Sequence, residues 1–245
     1  MPSEASEHVW ALVLGRGESE ALDEVCAIAT PANTLVVVNG DPADAARELA
    51  GRADHVLAQP SWRGTGLAAY VALSMIRRWT PHAVVVMLPG ELTAEPDARF
   101  ADHVRCAGSV AVAHRDAVVV VDGDGEPGHP IFAYPGLRRI SSYPRTSRLP
   151  VIAGTVEALW RLGHATQAHL LDILESLVPI VGTPEESEAI EYIYRAYLPV
   201  CMTRDILHRA PDRLYGLPLD AAEAHGVAAP HVRTASSSAL AAASL

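Results

Sequence analysis

Glycine turns, arginines and a loop carboxylate at the ends of apolar runs are the residues of this chain whose types and spacing bear on phosphate chemistry. It calls for backbone N–H groups clear of side-chain bulk, a fixed cation, and a carboxylate for a metal ion. Three stretches offer parts of that set. Gly15-Arg16-Gly17 follows an apolar run and precedes a helical pattern. Glycines at such a turn let N–H groups approach a phosphate, the helix N-terminus favours negative charge, and Arg16 adds a bidentate contact. Glu20 stands where a GxGxxG pattern has its third glycine. With Glu18 it equally fits a plain tight turn whose acids complement a helix dipole. Gln59-Pro60-Ser61-Trp62-Arg63-Gly64-Thr65-Gly66 lies between a strand and a helix pattern. There Gln59 has the groups to read a base edge, Arg63 those to hold a phosphate or ribose, and Thr65 those to cap the helix. A capped helix with a surface arginine is the bland alternative. In Leu88-Pro89-Gly90-Glu91, Glu91 has the chemistry to hold Mg²⁺ against a nucleotide's phosphates, or to be a solvated loop acid.

Other patterns exclude chemistry. All 19 basic residues are arginine, so no lysine ammonium serves a phosphate loop or a Schiff base. Asp122-Gly123-Asp124-Gly125-Glu126-Pro127 opens like a calcium loop, but Pro127 replaces the required glycine and Ala133 the bidentate glutamate, so it reads as a hairpin turn. The 11 histidines form no HExxH, and there is no GxSxG elbow. Cys26, Cys106 and Cys201 form no CxxC pair and suit a reducing cytoplasm. A net charge of −10 argues against nucleic acid and anionic membrane as partners. Met1–His8 carries two glutamates and no arginine or lysine and does not read as a signal peptide, and no apolar run approaches the ~20 residues of a spanning helix. The expected location is the cytoplasm.

The elements that must position these residues alternate strand and helix. With 245 residues and 49% hydrophobic composition, a single α/β domain is expected over residues 1–233, with a Ser/Ala/Leu tail over 234–245. Strands are predicted at Val9–Leu14, Thr34–Val38, His55–Ala58, Ala83–Leu88, Ser109–Ala113, Val118–Val121 and Leu214–Leu217. Helices are predicted at Ser19–Ala29, Pro42–Ala50, Thr65–Arg78, Pro96–Ala107, Thr155–Leu162, Ala165–Leu177 and Pro184–Tyr197. Pro127–Pro150 reads as loops with short strands. Continuously apolar strands separated by helices predict a Rossmann-like, mostly parallel sheet covered on both faces, with a helical C-terminal portion.

In that setting Gln59–Leu73 followed by Val84–Pro89 resembles the sugar-nucleotide nucleotidyltransferases, mannose-1-phosphate guanylyltransferases above all, which carry QPxNRGTAPA, a helix, and a strand ending LPSDH. Trp10–Gly17 resembles a shortened form of their LAGGxGxRL. Gly182–Glu191 and Thr203–Leu214 resemble their C-terminal helices. The resemblance runs from Trp10 to about Leu219 and implies a GT-A-like nucleotidyltransferase fold. It implies a reaction in which a sugar-1-phosphate oxygen attacks the α-phosphate of a nucleoside triphosphate and releases pyrophosphate, with Mg²⁺ and GTP as companions. By position it places Gly15, Arg16 and Gly17 at the phosphates, Gln59, Arg63, Gly64 and Thr65 at the nucleoside, and Glu91 at the metal.

The departures fall on the chemistry. Only one helix fits between Gly17 and Thr34, where the family has the rest of its phosphate loop and a lysine motif. Glu91 replaces the metal-binding aspartate, Leu92 the following histidine, and Trp62 the asparagine of NRGT. The second metal-binding aspartate has no match around Ala221–Gly226, where Glu223 is the nearest acid. Each lost charge stabiliser typically lowers rate by ~10²–10³, and the set together by on the order of 10⁶. Three readings follow: a divergent nucleotidyltransferase with weakened or lost catalysis; a pseudoenzyme that senses a nucleotide or binds a protein partner or a second copy; and a small NAD- or S-adenosylmethionine-binding domain with Asp41 as the ribose acid.

Overall fold

The computed structural model describes residues 9–15, 28–90, 98–121, 138–140 and 149–217. Among these, eight strands form one sheet: β1 (Val9–Leu14), β2 (Thr34–Asn39), β3 (His55–Gln59), β4 (Val84–Pro89), β5 (Val118–Val121), β6 (Arg138–Arg139), β7 (Val151–Thr155) and β8 (Leu214–Gly216). Their spatial order is β3-β2-β1-β4-β7-β5-β8-β6. The pairs β1–β2, β2–β3, β1–β4 and β5–β8 are parallel, while β7 runs antiparallel between β4 and β5 and β6 antiparallel to β8. The expected α/β class and mostly parallel sheet are therefore present.

Why these strands are apolar throughout follows from their two faces. Trp10, Leu12 and Leu14 of β1 join one buried cluster with Leu35, Val37, Leu57, Val85 and Met87. The intervening Ala11 and Val13 join the other, with Val36, Val38, Val86 and Leu88. Period-two alternation thus loads both sides of the sheet, and neither face is left for water.

Among the described residues five helices cover these faces: α1 (Pro42–Glu48), α2 (Gly64–Trp79), α3 (Ala98–Ala113), α4 (Val156–Leu177) and α5 (Glu186–Ala196). α2 is buried continuously from Gly66 to Ile76, because it lies between the sheet and α4 rather than on the surface. Its N-terminus therefore follows β3 directly, and its C-terminus reaches the opposite end of the sheet. There Trp79 stacks on His55 at 4.4 Å between ring centroids and on Trp10 at 5.4 Å, and Trp10 Nε1 donates to Thr80 Oγ1 (3.2 Å). This aromatic plug closes the amino end of β1 and β3 and leaves the carboxyl end for loops.

The structure departs from the sequence pattern in three places. Ser109–Ala113 is the last part of α3, not a strand; Val104, Ala107, Val110 and Ala111 are all buried at helical spacing, so the apolar stripe simply continues. The two helices predicted at Thr155–Leu162 and Ala165–Leu177 are present as the two halves of α4, but the break between them falls later, at Gln167 (φ −141°, ψ 49°). Val151–Thr155, given no strand by the sequence pattern, is β7, fully buried between two neighbours. Thr155 ends β7 and starts α4: its hydroxyl donates to Arg115 O (2.7 Å) and accepts from Ala158 N (3.1 Å). Most of the Ser19–Ala29 helix pattern, the Asp122–Pro127 hairpin and the 234–245 tail lie outside the described residues. Among the described residues no helix is long and apolar enough to cross a membrane.

Gly163 tests how tightly α4 sits on α2. A Cβ there would lie 2.6 Å from Tyr70 Cε1 and 2.9 Å from Leu171 Cδ2. Tyr70 cannot yield, because it is fully buried and its hydroxyl donates to Leu159 O at 2.9 Å. Helix propensity alone favours Gly163→Ala by about 1 kcal/mol. Overpacking of about 1–3 kcal/mol outweighs it. Urea denaturation of Gly163→Ala is expected to show a net loss of stability; a gain would mean that the α2–α4 contact is loose.

Candidate functional site

A ligand site in a parallel sheet forms where neighbouring strands send their connections in opposite directions, outside the carboxyl ends. In this sheet that point is between β1 and β4, since β1 leads leftward to β2 and β3 while β4 lies on its other side. Gly15 ends β1 and Gly90 follows β4. Gly15 N donates to Val37 O (3.1 Å) and Gly90 N donates to Leu14 O (2.8 Å). Gly15 has φ +145°, and a Cβ on it would sit 3.1 Å from Gly90 Cα. Only glycine meets both conditions, the backbone angle and the close approach. The two stretches that the sequence assigns to phosphates and metal therefore leave the sheet from touching residues. Arg16, Gly17 and Glu91 themselves lie outside the described residues.

The second stretch is tied differently. Gln59 ends β3 and is buried, and its Oε1 accepts from the Tyr194 hydroxyl at 3.3 Å. Burial pushes the Tyr194 hydroxyl far above the usual phenol range, so it stays a donor. Arg63 Nε donates to Tyr194 O (3.0 Å), while Arg63 O accepts from Val200 N (2.9 Å). Gly66 N donates to Val200 O (2.8 Å). The sequence pattern makes Thr65 the cap of α2; instead it lies inside the helix, and its hydroxyl accepts from Met202 N at 3.1 Å. The N-cap position belongs to Arg63, whose side chain makes no cap bond. The reason is tertiary: residues 194–202 approach the helix start so closely that their N–H groups take the acceptors first.

Gly64 marks the tightest point. Its φ is +85°, and a Cβ on it would lie 2.3 Å from Val200 O. Gln59, Arg63, Gly64 and Thr65 are thus brought together, at the carboxyl end of β3, around a segment of the same chain. Asp41, the alternative ribose acid, caps α1 by accepting from Ala43 N at 2.7 Å.

Tyr194, Val200 and Met202 are partners that motif reading missed. Their signal in the sequence is faint, because two of the three act through backbone atoms. Beyond them the chain makes a π-helical turn, Met202–Ile206, preceded by Cys201. Asp205 closes that turn by accepting from Cys201 N (2.8 Å) and from Arg204 Nε and Nη2 (2.9 Å each). The Arg204 bond chiefly holds the Asp205 carboxyl below its ordinary range. Hydrogen bonds from Thr203 and Arg204 lower the Cys201 thiol despite its partial burial. No group of three His, Cys, Asp or Glu suited to a metal occurs among the described residues.

No protein-family model matches the chain, and no curated protein matches its sequence. Solved structures do match. One, described as a mannose-1-phosphate geranyltransferase from Thermus thermophilus, superposes with a TM-score of 0.68 at 16% identity, covering 86% of this chain and 74% of that one. Another, described as a mannose-6-phosphate isomerase from Helicobacter pylori, superposes with a TM-score of 0.62 at 11% identity, covering 87% of this chain and 98% of that one. At these identities the likeness is one of fold, and this chain has the α/β fold of those two structures.

Two outcomes check this site. Gly64→Ala must move the Val200 backbone and is expected to lower unfolding free energy by on the order of 3 kcal/mol, seen in chemical denaturation. A change within about ±0.5 kcal/mol, the range of a neutral surface substitution, would mean that the segment is not seated there. Asp205, with its carboxyl held low in the folded state, contributes stability that is present above the ordinary carboxylate range and lost as pH falls through its folded value. An acid titration of stability should therefore lose part of its low-pH slope in Asp205→Asn; an unchanged slope would contradict the Arg204–Asp205 pairing.

Proposed function

We propose that this chain is a divergent nucleotidyltransferase-like protein that binds a nucleotide, GTP in the first instance, at the Gly15–Gly90 crevice, with transfer chemistry weakened or lost. The observation that carries the reading is the close approach of those two glycines at the switch point between β1 and β4. Bare backbone at that point admits a phosphate chain. On this reading Arg16 and Gly17 would supply the guanidinium and an N–H to the phosphates, Gly15, whose own N–H is bonded to Val37 O, would supply only room beside them, and Glu91 would hold Mg²⁺. In the reaction of this fold class a sugar-1-phosphate oxygen bonds to the α-phosphorus, the bond to the bridging oxygen breaks, and pyrophosphate leaves. The chain has no lysine to balance the charge that builds on those oxygens.

A second reading has its own observation. The side chains of Gln59, Arg63 and Thr65 are bonded to the chain's own residues 194–202. This favours a pseudoenzyme in which that loop is a structural joint, the protein acting as a nucleotide sensor or through a protein partner or second copy.

Calorimetric titration with GTP, with and without Mg²⁺, separates these readings. Mg²⁺-dependent GTP binding, weakened at least tenfold in Glu91→Ala, is expected, with pyrophosphate release from GTP and mannose 1-phosphate slow or absent. Binding indifferent to Glu91 would remove the metal assignment. No nucleotide binding at all would remove the crevice reading and leave the partner-binding one.

A further inference from the structure

The polar side chains at the carboxyl end of the sheet are not equally committed. Gln59 ends β3 buried, with its amide oxygen accepting from the Tyr194 hydroxyl. The Asp41 carboxylate caps α1. Thr34, the other polar residue of β2, sits at the opposite end of that strand and donates to Thr30 O at 2.9 Å. Asn39 differs from all three. It ends β2 as its one exposed residue, after five buried ones, and its carboxamide bonds to no other described residue.

The register fixes where that carboxamide stands. Asn39 pairs with Gln59 across β2 and β3. Two residues earlier, Val37 pairs with Leu14 and its carbonyl accepts from Gly15 N. β2 lies between β1 and β3. Asn39 is therefore one strand across from the Gly15–Gly90 crevice and two residues further along, about 8 Å from Leu14 by ordinary strand spacing and rise. Leu35 and Val37 belong to the buried cluster that holds Leu14 and Leu57, so period-two alternation puts Asn39 on the same face as Gln59. The space past it is open: Gly40 follows with φ +137°, and a Cβ there would meet nothing within 4 Å.

We infer that Asn39 reads the base of the bound nucleotide in place of the buried Gln59, an inference that rests on the nucleotide reading of the Gly15–Gly90 crevice. With the phosphates held at the crevice, a ribose bridges a gap of this size and brings the base to the end of β2. A carboxamide carries an acceptor and a donor side by side. The guanine edge presents N1–H beside O6, so Asn39 Oδ1 accepts from N1–H while Nδ2 donates to O6. Commitment of Gln59 to Tyr194 thus moves base recognition one strand toward the crevice.

The test is calorimetric titration of the full chain, in Mg²⁺, with GTP, with inorganic triphosphate, which has no base, and with N1-methyl-GTP, whose base has no N1–H. It is run on the wild type, on Asn39→Ala and on Asn39→Ser. The wild type is expected to bind GTP more tightly than triphosphate. Both variants are expected to bind GTP about tenfold more weakly and triphosphate unchanged, which also shows their fold intact. The wild type should bind N1-methyl-GTP about as weakly as the variants bind GTP. GTP binding unchanged in the variants, equal losses of GTP and triphosphate in both variants, or full affinity of the wild type for N1-methyl-GTP overturns the inference and leaves the crevice reading standing. GTP bound no more tightly than triphosphate by the wild type does the same. Failure of the wild type to bind either GTP or triphosphate removes the crevice reading, and Asn39 as a base reader with it.

Discussion

The backbone of Val200 occupies the space where a side chain on Gly64 would be. Much of the C-terminal portion depends on that approach. It lets Val200 bond to Arg63 on one side and to Gly66 on the other, so an irregular strand of chain is held at the N-terminus of a helix buried along most of its length. Once Val200 is seated, Met202 N meets Thr65, Tyr194 meets Gln59 and Arg63, and the π-helical turn packs against α2 and α4. Loss of this one fit would release α5 and the turn together, because the polar links between them and the β3–α2 loop run through the same few residues.

That seating has a chemical consequence. A strand-end loop in a parallel sheet is ordinarily free to meet a ligand. Here its glutamine, arginine and threonine side chains already have partners in their own chain. The carboxyl end of the sheet therefore divides into two regions. At β1 and β4 two glycines meet, each with its N–H bonded to a neighbouring strand. At β3 the side chains are bound internally. On the nucleotide reading proposed above, the first region would hold phosphates, while the second has given up donors that would otherwise read a nucleoside. The absence of lysine points the same way, since it removes one charge that would stabilise a phosphoryl transition state.

Much of the fold was legible in the sequence. β1, β2, β3, β4, β5 and β8 fall within a residue of where the apolar runs place them, most plainly β1, β4 and β5, whose two buried faces call for apolar residues at nearly every position. The GlyxGly turn and the Pro-Gly after β4 were legible as a pair of strand ends. What failed were cases in which the local pattern has two solutions. Ser109–Ala113 is apolar enough for a strand, but the stripe from Val104 to Ala111 keeps helical spacing, and α3 wins by continuity. Val151–Thr155 contains a glycine and follows a proline-rich stretch, so its place in mid-sheet depends on β4 and β5 being there to receive it.

Composition and periodicity by themselves determined the α/β class, the strand and helix alternation of the first half, and the exclusion of lysine chemistry. These follow from side-chain type and spacing, which are local properties of the chain. Only the tertiary structure decided that Gly15 and Gly90 touch, that Thr65 accepts from Met202 rather than capping its own helix, and that the break in α4 meets the π-helical turn through the Gln167–Asp205 bond. Each of those depends on backbone atoms from segments far apart in the chain, and backbone atoms carry no residue-specific mark from which a sequence could announce them.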